Sequence, residues 1–235
     1  MIIFLSGWGF QSSIWEDITS EFSEACHCEA AGRGNPAFAG SPRLRLAMTE
    51  YNDQLPNDSI LVGWSLGGMI AANLCRLFPG KFRKLITVTC NPKFVATHDW
   101  PGVEEKNFTQ FYQQAEKDLP SLLKEFQRLA IGNNRDPEIR KILQTHIHDA
   151  EQKELLLSHL DLLMQLDTRE TYSEINIPTL HLFGDEDVLV PANCATRIKE
   201  NYPHHTTHVI QGAGHIPFLT HKDEFMQQLR GFIHE

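Results

Sequence analysis

Apolar residues fall in short unbroken blocks toward both ends of the sequence and at helical spacing through its middle. The blocks Ile2–Leu5, Ile60–Val62, Lys84–Thr89 (Leu-Ile-Thr-Val at its centre), Thr179–Phe183 and Thr207–Ile210 predict strands, most of them buried on both faces. Cys26–Ala30 reads as a further short strand, closed by the loop Gly32-Arg33-Gly34-Asn35-Pro36. Helices are expected over Ser12–Phe22, with a Ser cap and Glu16 in the first turn, and over Arg43–Gln54, Gly68–Cys75 and Asp223–Ile233. Strands alternating with helices imply an α/β fold with a mostly parallel sheet flanked by helices on both faces.

Asn91 to Thr171 breaks the rhythm. Leu119, Leu122, Leu123, Phe126, Leu129 and Ala130 recur at helical spacing, as do Ile139, Ile142 and Leu143, and Leu156, Leu160 and Leu163. A connection of this length is far beyond an ordinary loop. It predicts an inserted helical lid over residues 93–171, with 1–92 and 172–235 forming the sheet core.

The bulk properties narrow the class. A chain of 235 residues with 41% apolar content can bury a single core. No apolar stretch approaches the roughly 20 residues that span a bilayer, so no membrane partner is expected. The apolar start is too short for a signal-peptide core and lacks a basic flank. Five scattered cysteines argue against a disulfide framework and for a reducing, cytoplasmic setting. A net charge of −9 disfavours nucleic acid. One segment runs the other way: Lys124, Arg128, Arg135, Arg140 and Lys141 outnumber Glu125, Asp136 and Glu138 between Ser121 and Thr145. It is either a solvated helix face or a place for an anionic partner.

The chemistry concentrates in Gly63-Trp64-Ser65-Leu66-Gly67, which follows the Ile60–Val62 strand and precedes a helix. Strand, tight turn and helix are the context that makes G-x-S-x-G a nucleophile elbow. A serine alcohol needs a base to take its proton and an acid to hold that base in one tautomer. Asp187, in Gly184-Asp185-Glu186-Asp187, and His215, in Gly212-Ala213-Gly214-His215, each follow a predicted strand in the chain order Ser, acid, His. Asp185 and Glu186 are rival orienters on residue type alone. His204, His205 and His208, which crowd ahead of a strand, read as surface residues, and no metal set or cofactor motif emerges. The amide of Leu66, at a helix N-terminus, and that of Trp8, in Ser6-Gly7-Trp8-Gly9, are the expected oxyanion donors. Trp8, Trp64 and Phe111 are expected to wall the substrate pocket.

The elbow, the Gly-x-x-Asp turn and the Gly-x-Gly-His loop together resemble the α/β-hydrolase superfamily over nearly the whole chain. Gly7-Trp8-Gly9, Trp64-Ser65-Leu66-Gly67-Gly68, Asp99-Trp100-Pro101-Gly102 and Gly214-His215-Ile216-Pro217-Phe218 carry a closer resemblance, to the pimeloyl-[acyl-carrier protein] methyl ester esterases of biotin synthesis. The resemblance selects Asp187 as the acid. It implies a monomeric, cofactor-free serine carboxylesterase whose partner is an acidic acyl-carrier protein gripped by lid basic residues, here Lys124, Arg128, Arg135, Arg140 and Lys141. The sequence departs from the family in three places. The chain starts directly at the strand before Gly7, without the hairpin that edges the sheet in relatives. Ser6 stands where a histidine is common, and Glu125 where a basic lid residue is expected. Two other readings stay open: an esterase or lyase of the same fold acting on a small ester or diketone, such as an SHCHC synthase, and a non-catalytic binding protein of this fold.

Overall fold

The computed structural model describes residues 1–28, 48–50 and 52–235. A parallel six-stranded sheet runs in the order β2-β1-β3-β4-β5-β6. Its strands are β1 (Ile2–Leu5), β2 (Ala25–Cys28), β3 (Ser59–Trp64), β4 (Phe82–Val88), β5 (Thr179–Gly184) and β6 (Thr206–Ile210). Every residue of β1, β3 and β5 is buried, as expected for central parallel strands covered on both faces. The chain goes from β1 outward to β2 and then returns to β3 on β1's other side. Strand order thus reverses between β1 and β3, and open parallel sheets bind ligands at the carboxyl ends flanking such a reversal.

The helices in chain order are α1 (Glu16–Thr19), α2 (Leu66–Leu77), α3 (Glu105–Lys117), α4 (Leu119–Ile131), α5 (Pro137–His146), α6 (Lys153–Gln165), α7 (Arg169–Glu174), α8 (Asn193–Asn201), α9 (Pro217–Thr220) and α10 (Lys222–His234). The expected helix over Ser12–Phe22 forms only as a 3₁₀ turn, Ser12–Trp15, followed by the short α1, and Ser12 is the first residue of that turn, not its cap. Ile14 and Trp15 of the 3₁₀ turn are both buried. The Trp15 ring packs 4.1 Å from that of Phe218. Of the expected helix over 43–54, residues 48–50 and 52–53 are helical, Gln54 is already in a turn, and 43–47 and 51 lie outside the described residues, as do the loop 32–36 and the end of the strand expected to reach Ala30.

Helices α3 to α7 lie in the connection between β4 and β5. Local sequence starts two of them. Asp118 accepts from the Ser121 amide at 3.2 Å and Asp136 from the Glu138 amide at 2.9 Å, each with a proline in the first turn. The two ends of this connection are pinned together, since the Thr168 amide and hydroxyl both donate to the Pro92 carbonyl, at 2.7 and 3.0 Å. The Asp99-Trp100-Pro101-Gly102 segment folds back beside them: Trp100 Nε1 donates to Asn91 Oδ1 and Asn91 Nδ2 to the Pro101 carbonyl, both at 2.8 Å. The segment after α5 is tied to the turn after β1, where the Gln11 amide donates to the His146 carbonyl and the His148 amide to the Gly9 carbonyl.

His205 corrects the expectation of a surface residue. It is buried, with His181 Nε2 3.0 Å from its Nδ1 and Thr87 Oγ1 2.6 Å from His181 Nδ1. Tyr172 of α7 stacks on His181 at 4.9 Å. Burial holds His181 well below the ordinary histidine range and brings His205 down to about 4. His208, by contrast, pairs with Glu224 at the surface. Cys26, Cys75, Cys90 and Cys194 are free thiols. Among the described residues no helix is long and apolar enough to cross a membrane.

Candidate active site

The turn after β3 is forced by close packing. A Cβ on Gly63 would sit 2.4 Å from the Gly67 carbonyl oxygen, and one on Gly67 would sit 2.6 Å from the carbonyl oxygens of Leu5 and Ser6. Only glycine lets β3, α2 and β1 meet this tightly. Between them Ser65 takes φ +54° and ψ −119°. A side chain held at such angles stores about 1–3 kcal/mol of strain, which surrounding structure must hold in place. Ser65 is 6% exposed, and among the described residues its hydroxyl takes no hydrogen-bond partner.

Asp187 and His215 converge from the loops after β5 and β6. His215 Nδ1 lies 2.7 Å from Asp187 Oδ2, and both side chains are almost fully buried. Asp187 Oδ1 accepts the amides of Leu189 at 2.8 Å and Val190 at 3.0 Å, so the carboxylate is oriented at both oxygens. Asp185 serves elsewhere, since its Oδ1 accepts the Gly212 amide and ties the two loops together. Glu186 faces Asn133 at the surface. The His215 carbonyl accepts from Trp64 Nε1 at 2.8 Å and from Thr89 Oγ1 at 2.9 Å, which brings the histidine loop against the residue preceding Ser65. Thr89 holds its place at φ +41°, a genuine outlier for a β-branched residue.

The turn after β1 completes the constellation. A Cβ on Gly7 would lie 3.2 Å from Ser65 Cβ, so the Trp8 backbone runs beside the serine. Among the described residues no protein group accepts from the amide of Trp8 or of Leu66. Leu66 opens α2, whose N-terminal dipole favours negative charge. Ser6 is buried and its hydroxyl is unpartnered among the described residues.

A cavity of about 510 Å³ opens beside these groups, between α3, α4 and α6 on one side and Trp8, Val188 and Leu189 on the other. It adjoins the site through three of its lining residues. Trp8 borders Ser65, Phe126 faces the His215 ring at 6.5 Å, and Leu189 donates to Asp187. Trp8 packs edge-on to Phe126 at 4.9 Å and to Phe111 at 5.3 Å, and its Nε1 donates to the Leu156 carbonyl. Trp8 and Phe111 therefore line the cavity.

Trp64 is not among the residues that line this cavity. Successive strand residues point to opposite faces, and the last residue of β3 sends its indole inward between Phe10 and Phe218. Its role is to hold the His215 backbone. Lys124, Arg128, Arg135, Arg140 and Lys141 do not reach the cavity either. They are exposed and, among the described residues, make no ion pair. On α4 the cavity-facing stripe is Leu122, Glu125, Phe126 and Leu129, and Lys124 and Arg128 stand off it.

Residues 2–228 match the alpha/beta hydrolase family. The chain belongs to that family. Among curated proteins it is 33% identical to a pimeloyl-[acyl-carrier protein] methyl ester esterase of Legionella pneumophila (strain Corby), over 99% of this chain and 94% of the relative. An esterase of the same description from Aliivibrio salmonicida is 30% identical over 99% of this chain and 91% of its own length. Among solved structures, an esterase from Exiguobacterium antarcticum superposes with a TM-score of 0.85 at 20% identity, covering 100% of this chain and 91% of that one. An enol-lactonase from Burkholderia xenovorans LB400 reaches 0.81 at 15% identity, over 100% of this chain and 91% of that one. These structures share the fold of this hydrolase.

Proposed function

We propose that this carboxylic ester hydrolase cleaves the methyl ester of a pimeloyl chain carried by acyl-carrier protein, through Ser65, His215 and Asp187. The observation that carries the chemistry is the buried His215–Asp187 pair at 2.7 Å, set beside a strained serine at a strand–helix turn. His215 Nε2 takes the Ser65 proton as Oγ attacks the ester carbonyl carbon. The Trp8 and Leu66 amides receive the oxyanion. As the tetrahedral intermediate collapses, the C–O bond to methoxide breaks and His215 returns the proton, so methanol leaves. Water, deprotonated by His215, then attacks the acyl-enzyme carbonyl; the bond to Ser65 Oγ breaks as His215 returns the proton to Oγ, and the free acid leaves. Asp187 keeps His215 Nδ1 protonated throughout and stabilises the imidazolium.

Residues 93–171 act as the lid that closes the acyl cavity over the sheet core of 1–92 and 172–235. The names of the 30–33% identical relatives support the carrier-bound substrate. So does the exposed, unpaired basic set Lys124, Arg128, Arg135, Arg140 and Lys141 on an otherwise acidic molecule, which suits an acidic partner and would chiefly speed encounter. The reaction needs no cofactor, and the enzyme works in the cytoplasm.

The test compares kcat/KM on pimeloyl-carrier-protein methyl ester with that on a short p-nitrophenyl ester. Wild type should prefer the carrier-bound ester, and Arg135→Glu with Arg140→Glu should lower that preference at least tenfold at low salt. Hydrolysis of the small ester alone, or equal losses on both substrates, would overturn the carrier reading. Full activity of Ser65→Ala would overturn the mechanism.

A further inference from the structure

Among the described residues sixteen line the cavity, and only one of them ionises. That residue is Glu125. It stands in the stripe Leu122, Glu125, Phe126, Leu129, at the i, i+3, i+4, i+7 spacing of an apolar helix face. A charge at such a position breaks the local pattern, and breaks of this kind concentrate where function requires them. Glu125 is exposed, so its carboxylate sits where the cavity meets solvent. Among the described residues it has no ion-pair partner. The cavity's other polar lining is neutral: Asn107, Gln110 and Gln114, all from α3.

We propose that Glu125 is a selectivity residue, admitting esters whose distal end is uncharged and rejecting those that end in a free carboxylate. The inference rests on reading the cavity as the acyl site. With a dicarboxylic half-ester bound, the ester carbonyl lies at Ser65 and the chain extends through the cavity toward its mouth. A free carboxylate there faces a fixed like charge with no cation in the lining to offset it. A thioester, amide or second ester at that end feels no such repulsion. The effect is discrimination by an unpaired charge against the wrong ligand, not by added contacts to the right one. It separates a chain still attached to a carrier from the same half-ester free in solution.

The experiment measures kcat and KM for dimethyl pimelate, neutral at both ends, and for monomethyl pimelate, which carries one carboxylate. Wild type should prefer the diester. Glu125→Gln should raise the half-ester to diester kcat/KM ratio by about three- to tenfold, the scale that salt screening leaves of one charge pair roughly 10 Å apart near a protein surface. The shift should lie mainly in the half-ester KM. Glu125→Lys should raise the ratio further, and added salt should narrow the wild-type gap but not that of Glu125→Gln. An unchanged ratio, or a change in kcat common to both esters, would overturn the proposal. Both probes are free esters, so the outcome does not depend on carrier recognition. A lost carrier preference with an intact ratio shift would refute only the carrier-bound substrate.

Discussion

Asp187→Asn should reduce kcat/KM on a small ester by about 10⁴, the scale of losing the correct histidine tautomer in a Ser-His-Asp site. The structure sets the direction of the effect. Asp187 Oδ1 accepts two backbone amides, from Leu189 and Val190, at 2.8 and 3.0 Å. An asparagine must keep its carbonyl oxygen on those donors, because turning the amide would aim its NH₂ at two N–H groups and leave both unsatisfied at a cost of about 1–3 kcal/mol each. The NH₂ therefore occupies the Oδ2 position, 2.7 Å from His215 Nδ1. A donor there requires Nδ1 to accept, so the ring proton moves to Nε2 and the histidine cannot take the Ser65 proton. Geometry survives and chemistry does not. Asp185→Asn is the control: that carboxylate holds only the Gly212 amide, and an asparagine oxygen can do the same. The assay is p-nitrophenyl ester hydrolysis across pH 6–9, beside thermal unfolding of each variant. Asp187→Asn within tenfold of wild type, or Asp185→Asn falling as far as Asp187→Asn, would refute the reasoning.

Gly63→Ala forces a methyl to within 2.4 Å of the Gly67 carbonyl oxygen, so β3 and α2 must part and carry Ser65 and the Leu66 amide with them. We expect about 1–3 kcal/mol lost in urea unfolding and kcat down by roughly 10²–10³, the loss associated with one oxyanion donor; wild-type kcat would contradict this. Acid should weaken the fold through the His181–His205 pair. Both are held neutral below the ordinary 6.5, His205 at about 4, so the unfolded chain binds more protons as pH falls from about 6.5 toward 4. The urea midpoint should hold steady above pH 7 and fall through that window, and His205→Gln should flatten the fall. A midpoint independent of pH between 7 and 4.5 in wild type would exclude the mechanism.

Most of the fold and of the candidate site's turns was legible in the sequence. Strands such as Ile60–Val62 and Thr179–Phe183 are unbroken apolar blocks, a pattern that only a sheet covered on both faces sustains. The glycines around Ser65 and the Asp187 and His215 turns announce themselves because tight backbone approach admits few residue types. Glu125 was visible only as a departure from its family's pattern. Its meaning required the α4 stripe to be seen facing a cavity, and Trp64 required knowing which face of β3 its indole took.

The sequence by itself thus determined the order of elements and the chemistry of the turns, because periodicity and backbone conformation are local properties. Tertiary structure alone decided how Asp187 splits its two oxygens between His215 and the backbone, why the Trp64 indole meets the His215 carbonyl, and why His205 is buried. Each depends on segments far apart in the chain meeting at one place. A side chain's partners across such distances are fixed by the packing of whole elements, which no local pattern encodes.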